Sequence, residues 1–430
     1  MKTVIMAGGR GSRISTTWPD IPKPMIQICK KPVLERQIEQ LREQGYKEFI
    51  ITVSHKKEKI MDYFGDGKAL GVSIEYFVEE TPMGNAGAVF HIRDRLTDDF
   101  LLLNGDILFD VDLRRFQHYH EKKGGLVTLF THPNSHPYDS GLIVADEEHR
   151  VVKWYTREDK RPEYYKNRVN AGIHFINKSL FASCRFELKQ KMDLDRDILR
   201  PLVGTGFMFC YDSPEYVRDM GTPGRLEEVE ESLRKGIVSA KSRINRQRAI
   251  FLDRDGTINR EVGLISDIQR FELLPGVGEA IRRINQSGFL AIVVTNQPVI
   301  ARGELSCEGL EEIHNKMETL LGEDGAYLDG IYYCPHHPHS GYEGEVRELK
   351  IDCDCRKPRP GMLYAASEAF QIDLEKSWMI GDSERDIGAG KNAGCKTALI
   401  GRESLGQDVS AGSLLEAVSM ILRGEEIQDA

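Results

Sequence analysis

Phe251-Leu-Asp-Arg-Asp-Gly-Thr257 is the stretch of sequence around which the second half of the chain is organised. An apolar run ends there in two aspartates, Asp253 and Asp255, followed by a glycine and a threonine. Open α/β sheets present reactive groups in this way, at the C-terminal end of a buried strand. Side chains alternate along a strand, so we expect both carboxylates on one side, where they repel unless a cation lies between them. Taken alone, the stretch also fits a strand that ends in an Asp-Gly turn.

The composition is that of a globular protein with more than one domain. The chain has 430 residues, of which 40% are hydrophobic and 29% charged, and its net charge is −9. This length exceeds one ordinary domain, and the negative charge argues against a broad nucleic-acid surface. No apolar run approaches the ~20 residues of a membrane span. We therefore expect a cytoplasmic protein without nucleic-acid or membrane partners; the sequence leaves a homo-oligomeric state open.

In the second half, strands and helices alternate, and three strands end in polar groups that suit one phosphate site. The predicted strands after the first are Phe289–Val294, Ile331–Tyr333 and Trp378–Ile380, and the predicted helices are Val277–Asn285, Cys307–Leu321 and Met362–Phe370. The polar groups come in pairs after three of the strands: Asp253 and Asp255, Thr295 and Asn296, Asp382 and Asp386. Lys357 supplies a cation ahead of a helix. Such a coincidence at three strand ends favours a site over three separate turns.

The first half opens with a predicted strand, Thr3–Ala7, that runs into Gly8-Gly-Arg-Gly-Ser-Arg13. Glycines let backbone N–H groups approach a phosphate closely, and the two arginines add positive charge. The spacing fits neither the dinucleotide fingerprint nor a Walker A loop, so the loop alone fits an ordinary turn equally well. Pro22-Lys-Pro24 then holds Lys23 in an extended frame. The following strands, Phe49–Val53, Ser73–Val78 and Phe100–Leu103, alternate with helices and predict a parallel sheet.

Six motifs follow one another along this half: Met6-Ala-Gly-Gly-Arg-Gly-Ser-Arg13, Pro22-Lys-Pro-Met25, Pro82-Met-Gly-Asn-Ala-Gly87, Asn104-Gly-Asp106, Asn170-Ala-Gly172 and Asp219-Met-Gly-Thr-Pro223. Together they closely resemble the signature of the sugar-1-phosphate nucleotidylyltransferases, over residues 1–231. The resemblance departs at Ser15-Thr-Thr-Trp-Pro19, where the family usually has proline, leucine and threonine. It implies a doubly wound, Rossmann-like α/β domain that binds a nucleoside triphosphate.

The resemblance also implies residue roles in the first half. The residues implied to hold the nucleotide are Gly8, Gly9, Gly11, Arg13, Lys23, Gly84 and Asn85, with Arg13 and Lys23 also acting in catalysis. Asp106 and Asp219 would bind Mg²⁺, which suits the attack of a sugar phosphate on a polyanionic triphosphate. For Asp106 alone, a strand-ending turn is the alternative. The implied sugar-phosphate residues are Asn170, Gly172 and Lys160, with Lys153 and Arg157 as rivals of Lys160.

The polar strand ends of the second half resemble the four motifs of the haloacid-dehalogenase (HAD) phosphatase superfamily, which implies a second doubly wound α/β domain. In that superfamily Asp253 would be the nucleophile, and Asp255 would donate and then accept the proton. Mg²⁺ would lie on Asp253, Asp382 and the carbonyl of Asp255. Lys357 and Thr295 would neutralise the transferring oxygens, Asp386 would orient the metal site, and Asn296 and Arg356 would contact the substrate.

Three of the eight cysteines cluster in the second half. Cys334-Pro-His336 and Cys353-Asp-Cys355 give two ligand pairs across a loop, a pattern typical of a structural Cys₃His zinc site. A disulfide is the alternative, which a reducing compartment and the tight Cys-x-Cys spacing disfavour. His337 and His339 are rivals of His336. These motifs resemble the branch that contains D,D-heptose 1,7-bisphosphate and histidinol phosphatases, although Pro298-Val299 replaces the usual serine and glycine.

The two halves fit consecutive reactions. We expect a transferase domain at 1–231, a linker at 232–248 and a phosphatase domain at 249–430. The basic residues of 234–248 fit a solvated linker or a short docking segment better than a polyanion site. Removal of the 7-phosphate from heptose 1,7-bisphosphate would leave heptose 1-phosphate for activation, by family analogy with GTP. The alternatives are a histidinol-phosphate phosphatase fused to an unrelated transferase, and an inactive sugar-nucleotide sensor.

Overall fold

The computed structural model describes residues 1–9, 18–81, 83–183 and 191–428. The chain forms two compact units. Unit 1 comprises Met1–His132, Gly141–Thr156 and Val169–Ser239, and unit 2 comprises Pro133–Ser140, Arg157–Arg168 and Ala240–Ala430. Two short segments from the first half of the sequence therefore belong to unit 2, a feature that the alternation of strands and helices does not reveal.

Unit 1 is an α/β unit with a mixed sheet. Its strands are β1 (Lys2–Met6), β2 (Gln27–Ile28), β3 (Lys31–Pro32), β4 (Glu48–Val53), β5 (Ser73–Val78), β6 (Phe100–Asn104), β7 (Ile107–Asp110), β8 (Val127–His132), β9 (Leu142–Ala145), β10 (Val151–Tyr155), β11 (Val169–Ile176), β12 (Met208–Asp212) and β13 (Tyr216–Asp219). Its helices are α1 (Val33–Glu43), α2 (Lys57–Phe64), α3 (Gly84–His91), α4 (Leu113–Lys123), α5 (Leu180–Ser183) and α6 (Pro223–Arg234), with a π-helix at Leu194–Leu199.

The main sheet of unit 1 is only partly parallel. Its described strands run in the order β10-β9-β11-β6-β1-β4-β5; off this path, β8 pairs with β11, and β12 pairs with β8. Strands β1, β4, β5 and β6 are parallel, as predicted, but β11 lies antiparallel to both β6 and β8. The prediction of a parallel sheet thus holds for these four strands, and β11 makes the complete sheet mixed. Of the connections between β8 and β11, the short one that joins the antiparallel neighbours β9 and β10 reverses the chain direction.

Both faces of this sheet are buried. On β1, Ile5 packs in one apolar cluster with Leu34 and Ile38 of α1, and Val4 packs in another with Val89 of α3. Neighbouring strand residues point to opposite faces, so an apolar run can serve both layers. Each fully buried aliphatic side chain contributes about 1.5–3 kcal/mol. The packing leaves the strand ends, where the glycine turns lie, as the polar part of the unit.

Unit 2 has a fully parallel six-stranded sheet among its described residues. Its strands are β14 (Arg248–Leu252), β15 (Phe289–Asn296), β16 (Gly330–Cys334), β17 (Trp378–Gly381), β18 (Lys396–Ile400) and β19 (Val409–Ala411), in the order β16-β15-β14-β17-β18-β19. Its helices are α8 (Val277–Asn285), α9 (Cys307–Glu323), α10 (Gly361–Phe370), α11 (Glu384–Ala393) and α12 (Leu414–Gln428). The predicted doubly wound α/β fold is confirmed for this unit.

Strand β14 lies at the point where the strand order of unit 2 reverses. It pairs with β15 on one side and with β17 on the other, both parallel. Ile250 and Leu252 pack in one apolar cluster, and Ala249 and Phe251 pack in a second. In open α/β sheets, ligands bind outside the carboxyl ends of the strands at such a reversal. The Asp253 loop begins there.

The two segments that join unit 2 from the first half of the sequence contact helix α9. The backbone N–H of Tyr165 donates to Thr319 Oγ1 at 2.9 Å, and that of Asn167 donates to Glu318 Oε2 at 2.5 Å. Thr319 and Glu318 are buried, so these polar side chains of α9 satisfy backbone groups of the second segment. The first segment also touches α9, because a Cβ on Gly322 would lie 2.6 Å from Pro137.

The stretch predicted as a linker contains ordered structure. Helix α7 (Ile237–Ala240) buries Ile237 and Val238. Lys241 is buried in unit 2, where its Nζ donates to the carbonyl of Asn285 at 3.1 Å. These contacts are those of a docking segment rather than of a fully solvated one. Within the described ranges, no helix combines the length and apolar character that crossing a membrane requires.

Candidate active sites and metal centre

The carboxylates that follow β14 and β17 meet around one buried lysine. Lys357 Nζ lies 2.7 Å from Asp253 Oδ1 and 2.6 Å from Asp386 Oδ1. The backbone N–H of Asp253 donates to Ile380 O at 2.9 Å, which ties the start of the Asp253 loop to β17. Asp386 is fixed from its own helix, because its Oδ2 accepts from Ser383 Oγ at 2.6 Å in the capping box of α11.

Burial dominates the electrostatics of this cluster. It raises the pKa of Asp253 to about 7, although the charge of Lys357 acts in the opposite direction. Burial and the charge of Asp386 raise the pKa of Asp382 to about 6. Burial alone would lower the pKa of Lys357, but Asp253 and Asp386 outweigh it and raise the pKa. Carboxyl groups whose pKa values are raised toward neutrality are typical of reactive sites.

The same carboxylates fit a hard cation. Oxygens of Asp253, Asp382 and Asp386 lie within 4.8 Å of one another, a spacing that allows shared ligation of one ion. Gly256 has φ +81°, and a Cβ there would lie 1.9 Å from Asp382 Oδ2, so only glycine lets the loop approach this carboxylate. Asp382 therefore lies against the loop that carries the Asp255 carbonyl. Mg²⁺ is the cation that this donor set suits.

Thr295 and Asn296 end β15 beside this cluster. The Asn296 side chain forms a reciprocal pair with the Lys357 backbone: it donates to Lys357 O at 3.1 Å and accepts from Lys357 N at 3.0 Å. Asn296 thus positions the segment that carries the lysine. Thr295 is buried, and its Oγ1 accepts from Gln297 at 2.9 Å. Asp255 also accepts from Gln297 and lies within reach of solvent, with 19% of its side chain exposed.

A second cluster in unit 2 has the composition of a zinc site. Cys353 Sγ lies 3.5 Å from Cys334 Sγ and 3.3 Å from Cys355 Sγ, and Cys355 Sγ lies 3.4 Å from His336 Nδ1. These Sγ–Sγ separations exceed the ~2.05 Å of a disulfide and suit thiolates that share one ion. All four ligand atoms lie within 4.8 Å of one another. His336 is the histidine in the cluster; His337 instead approaches the His339 backbone carbonyl, 3.3 Å from its Nδ1.

Arg356 connects the zinc-type cluster to the lysine segment. Its Nη1 donates to the carbonyl of His336 at 3.2 Å, and it directly precedes Lys357. Because of this contact, the loop that the four ligands pin also positions Arg356. The predicted substrate-contacting role of Arg356 stays a prediction.

In unit 1, Asp106 directly precedes β7 and Asp219 ends the neighbouring strand β13, and each carboxylate has its own cationic partner. Strand β13 pairs antiparallel with β7, and Met220 N donates to the carbonyl of Asp106 at 3.1 Å. Lys23 Nζ forms an ion pair with Asp106. Arg225 Nη1 lies 2.9 Å from both carboxylate oxygens of Asp219. Burial opposes ionisation of Asp219, but Arg225 outweighs it and lowers the pKa. Two adjacent carboxylates offer the oxygen donors that Mg²⁺ prefers.

Two glycines in the turns of unit 1, Gly8 and Gly84, lie close to other parts of the unit. A Cβ on Gly8 would lie 2.5 Å from Glu79 Oε1, while Gly9 is open to solvent. Gly84 has φ +77°, and a Cβ there would lie 2.2 Å from the Met192 carbonyl. Asn85 Oδ1 accepts from Leu194 N at 2.8 Å. The predicted roles of Gly11 and Arg13 fall outside the described residues.

The predicted sugar-phosphate residues are divided between the units. Asn170 and Gly172 belong to β11 in unit 1, whereas Lys160 and its rival Arg157 belong to unit 2. Asn170 Oδ1 accepts from Gly172 N at 3.1 Å and from His174 Nε2 at 3.0 Å, where the strand is bulged. Arg157 pairs with Asp139 at 2.9 Å, and Lys160 is exposed.

Comparison with known proteins identifies both classes. The family model described as nucleotidyl transferase matches residues 2–236, more than half of the chain, and the chain belongs to this family. A model described as HAD-hydrolase-like matches residues 354–412. The crystal structure of a putative glucose-1-phosphate thymidylyltransferase from Bacillus anthracis superimposes with a TM-score of 0.50 at 19% identity. That match covers 54% of this chain and 96% of the other, and shows the shared fold of the transferase part.

Curated relatives match the second half. The D-glycero-beta-D-manno-heptose-1,7-bisphosphate 7-phosphatase of Escherichia coli (strain K12) is 45% identical over 154 residues, which is 36% of this chain and 78% of the relative. The enzyme of that name from Haemophilus ducreyi (strain 35000HP / ATCC 700724) is 42% identical over 157 residues, 36% of this chain and 84% of the relative. The chain therefore combines a nucleotidyltransferase with a phosphatase of the HAD type.

Four residues of the sites had no role in the sequence interpretation. Arg254 and Gln297 contact Asp255, Glu79 contacts the first glycine turn, and Arg225 contacts Asp219. For two of them, Arg254 and Gln297, the sequence context indicates a position at the site. Arg254 is a basic residue between two aspartates at the end of an apolar strand, and Gln297 directly follows the Thr295-Asn296 pair. Nothing in the sequence distinguishes Glu79 or Arg225 from surface residues.

Proposed function

We propose that unit 2 hydrolyses the 7-phosphate of D-glycero-D-manno-heptose 1,7-bisphosphate and that unit 1 transfers a nucleotidyl group to the resulting heptose 1-phosphate. The observation that carries the proposal is the presence, on one chain, of a nucleotidyl transferase family match and of 42–45% identity to heptose bisphosphate phosphatases. Hydrolysis of the 7-phosphate leaves a sugar with the 1-phosphate that the nucleotidyl transfer requires. We further propose that GTP is the donor, that the reactions occur in the cytoplasm, and that 1–231 and 249–430 are the functional domains.

In the phosphatase, Asp253 is the nucleophile. Its carboxylate oxygen forms a bond to phosphorus while the ester P–O bond breaks, and the proton of Asp255 passes to the departing sugar oxygen. Water then attacks the aspartyl-phosphate, loses a proton to Asp255, and frees phosphate and Asp253. Lys357, 2.7 Å from Asp253, and the Thr295 hydroxyl stabilise charge on the phosphoryl oxygens. Asp253, Asp382 and the Asp255 carbonyl would hold Mg²⁺, which supplies further charge neutralisation.

In the transferase, the first glycine turn with Arg13 and Lys23 holds the triphosphate, and the loop of Gly84 and Asn85 holds the base and ribose. Asp106 and Asp219 would hold Mg²⁺, whose charge offsets that of the leaving pyrophosphate. Asn170 and Gly172 position the sugar phosphate. The ion pairs of Lys23 with Asp106 and of Arg225 with Asp219 show that each carboxylate already faces a cation that a phosphate could bind.

A coupled assay tests both steps. Heptose 1,7-bisphosphate, in each anomeric form, is supplied with each of the four nucleoside triphosphates, while phosphate and pyrophosphate are followed separately. We expect phosphate first, then pyrophosphate with GTP in preference to the other three. Phosphate release without pyrophosphate from any nucleotide would refute the consecutive reactions. Histidinol phosphate serves as the competing substrate, and a higher kcat/KM for it would refute the heptose assignment.

We also propose that Cys334, His336, Cys353 and Cys355 bind one structural Zn²⁺. The donor set and the Sγ–Sγ distances of 3.3 and 3.5 Å support this site. Elemental analysis of the purified chain should give one zinc per chain, and Cys353→Ser should lose it. Cys395→Ser is the matched control, because Cys395 is a buried free thiol outside the cluster. Retention of a full equivalent of zinc in Cys353→Ser would contradict the site.

A further inference from the structure

The Asp255 carboxylate accepts hydrogen bonds from three side chains. Arg254 donates to it from Nε at 3.2 Å and from Nη2 at 3.0 and 2.9 Å. Asn259 Nδ2 donates to Oδ1 at 3.0 Å, and Gln297 Nε2 donates to Oδ2 at 2.7 Å. Arg254 and Asn259 are completely buried and Gln297 is almost so, whereas Asp255 is partly exposed. The three buried donors therefore contact the partly exposed Asp255 carboxylate from the protein interior.

The orientation of the Gln297 amide follows from Arg254. Arg254 Nη2 lies 2.9 Å from the Gln297 Oε1, and a guanidinium can only donate, so the oxygen of the amide must face it. The amide nitrogen then faces both Asp255, at 2.7 Å, and Thr295 Oγ1, at 2.9 Å. Arg254 also contacts His314, whose Nε2 lies 3.4 Å from the Arg254 Nη1. Burial lowers the pKa of His314 to about 3, so the ring is neutral, and because a guanidinium only donates, its Nε2 is the accepting nitrogen.

This orientation determines where the Thr295 hydroxyl can donate. A hydroxyl has one hydrogen and two lone pairs. Because the oxygen of Thr295 accepts from Gln297, its hydrogen must point to a different partner. A phosphoryl oxygen bound next to Asp253 would be such a partner. The Gln297 amide therefore orients both the Asp255 carboxylate, which would transfer the proton, and the Thr295 hydroxyl, which would donate to the phosphoryl group.

We propose that Gln297 is a positioning residue of the phosphatase reaction, which aligns Asp255 with the leaving oxygen and directs the Thr295 hydroxyl to the phosphoryl group. This inference rests on the proposed roles of Asp253 and Asp255. It has a specific chemical consequence. A sugar alkoxide departs only with a proton from Asp255, whereas dinitrophenolate departs without one. Misplacing Asp255 therefore penalises alkyl esters far more than activated aryl esters.

The test compares kcat/KM for two esters of phosphate: the alkyl phosphate that the chain turns over fastest, and 2,4-dinitrophenyl phosphate. For a reaction through an aspartyl-phosphate, kcat/KM reports only the steps up to departure of the leaving group. Gln297→Met keeps the length of the side chain and removes its amide. We expect it to lower kcat/KM for the alkyl ester about 100-fold, and the ratio of alkyl to aryl ester at least tenfold.

Two controls separate positioning from general damage. Asn285→Leu also removes a buried amide. This amide forms hydrogen bonds of 2.9 Å with the Tyr327 backbone and lies near the N-terminal end of β15, away from the site, so the variant should leave the ratio unchanged. Thr295→Val removes the hydroxyl while the bonds from Gln297 to Asp255 remain, and should slow both esters without changing the ratio. If Gln297→Met slows both esters equally, or neither, the inference is refuted.

Asp255→Asn distinguishes a failure of this inference from a failure of the proposed mechanism. We expect it to lower the ratio by at least as much as Gln297→Met does. A lowered ratio in Asp255→Asn with an unchanged ratio in Gln297→Met would refute the role of Gln297 alone. An unchanged ratio in Asp255→Asn would refute Asp255 as the proton donor, and the role of Gln297 with it.

Discussion

The two candidate active sites use the same pairing of carboxylates with cations in opposite environments. In unit 2, one lysine serves two carboxylates, and the side chains of Lys357 and Asp386 are only 2% and 1% exposed. In unit 1, each carboxylate has its own cation, and the side chains are 13–40% exposed. A buried charge that loses its partner cannot be rescued by water, whereas a half-exposed one can. In the candidate phosphatase site, the buried ion pairs must therefore stay intact. In the candidate transferase site, a metal ion or a phosphate can replace the partner of a partly exposed charge.

The largest expected effect isolates one site from the other. Asp253→Asn removes the proposed nucleophile and should lower phosphate release by at least about 10⁴-fold. Pyrophosphate formation from preformed heptose 1-phosphate should stay within twofold of the unaltered chain, because the residues proposed to bind the nucleotide and its Mg²⁺ are in unit 1. Both rates are measured on the full chain. Loss of both activities would show that the two sites are not independent.

Removal of each lysine compares the buried with the half-exposed ion pairs. Lys357→Met leaves Asp253 and Asp386 as uncompensated buried carboxylates and should destabilise unit 2 by about 3–5 kcal/mol. Lys23→Met, next to a half-exposed Asp106, should cost unit 1 less than about 1 kcal/mol. Hydrogen exchange of peptides from each unit measures the two costs separately. Equal costs would contradict the difference in burial between the sites.

Removal of Arg225 tests whether Asp219 binds metal. Arg225→Ala deletes a cation that lies 2.9 Å from both Asp219 oxygens, so it should strengthen Mn²⁺ binding to the nucleotide-free chain about tenfold. Titration calorimetry measures the affinity, with Asp382→Asn in the background to remove binding at unit 2. Arg234→Ala, an exposed arginine of the same helix, is the control and should leave the affinity unchanged. Unaltered Mn²⁺ affinity in Arg225→Ala would contradict the assignment of Asp219.

The last expected effect concerns acid stability, to which buried histidines of both units contribute. Burial lowers the pKa of His174 in unit 1, and of His314 in unit 2, to about 3. Unfolded histidine titrates near 6.5, so between pH 6.5 and 3 the unfolded state binds the extra proton and stability falls as the pH falls. His174→Gln should remove about 1.4 kcal/mol per pH unit from the slope of unit 1 alone. Hydrogen exchange between pH 4 and 7 measures it, and an unchanged slope would refute a neutral His174.

Much of the secondary structure could be predicted from local patterns. Helix α8 is predicted at the residues where it occurs, Val277–Asn285, and strand β5 likewise at Ser73–Val78. In unit 2, every predicted strand belongs to one parallel sheet, because helices separate the strands and allow only crossover connections. In unit 1 the rule holds for β1, β4, β5 and β6, whereas β11 runs antiparallel to β6. Pairing between distant strands is not a local property.

The candidate sites could be predicted only as sets of strand ends. The sequence places Asp253, Thr295 and Asp382 after three apolar runs, and parallel strands bring their carboxyl ends to one edge. It does not reveal Arg254 as the buried donor to Asp255, because a basic residue at a strand end is usually solvated. Nor does it show that Asn296 bonds the Lys357 backbone, a contact between residues 61 positions apart. Burial and partner identity both depend on the assembled sheet.

The sequence by itself determined the fold class of both units, the two families and the residue types of each site, because apolar periodicity, glycine turns and carboxylate spacing are local. Only the tertiary structure decided which charges are buried together and which amide faces which oxygen. It also assigned residues 133–140 and 157–168 to unit 2. The Asp253 stretch shows the division: its sequence supplies two carboxylates, and the packing around it decides that one faces Lys357 and the other rests on Arg254 and Gln297.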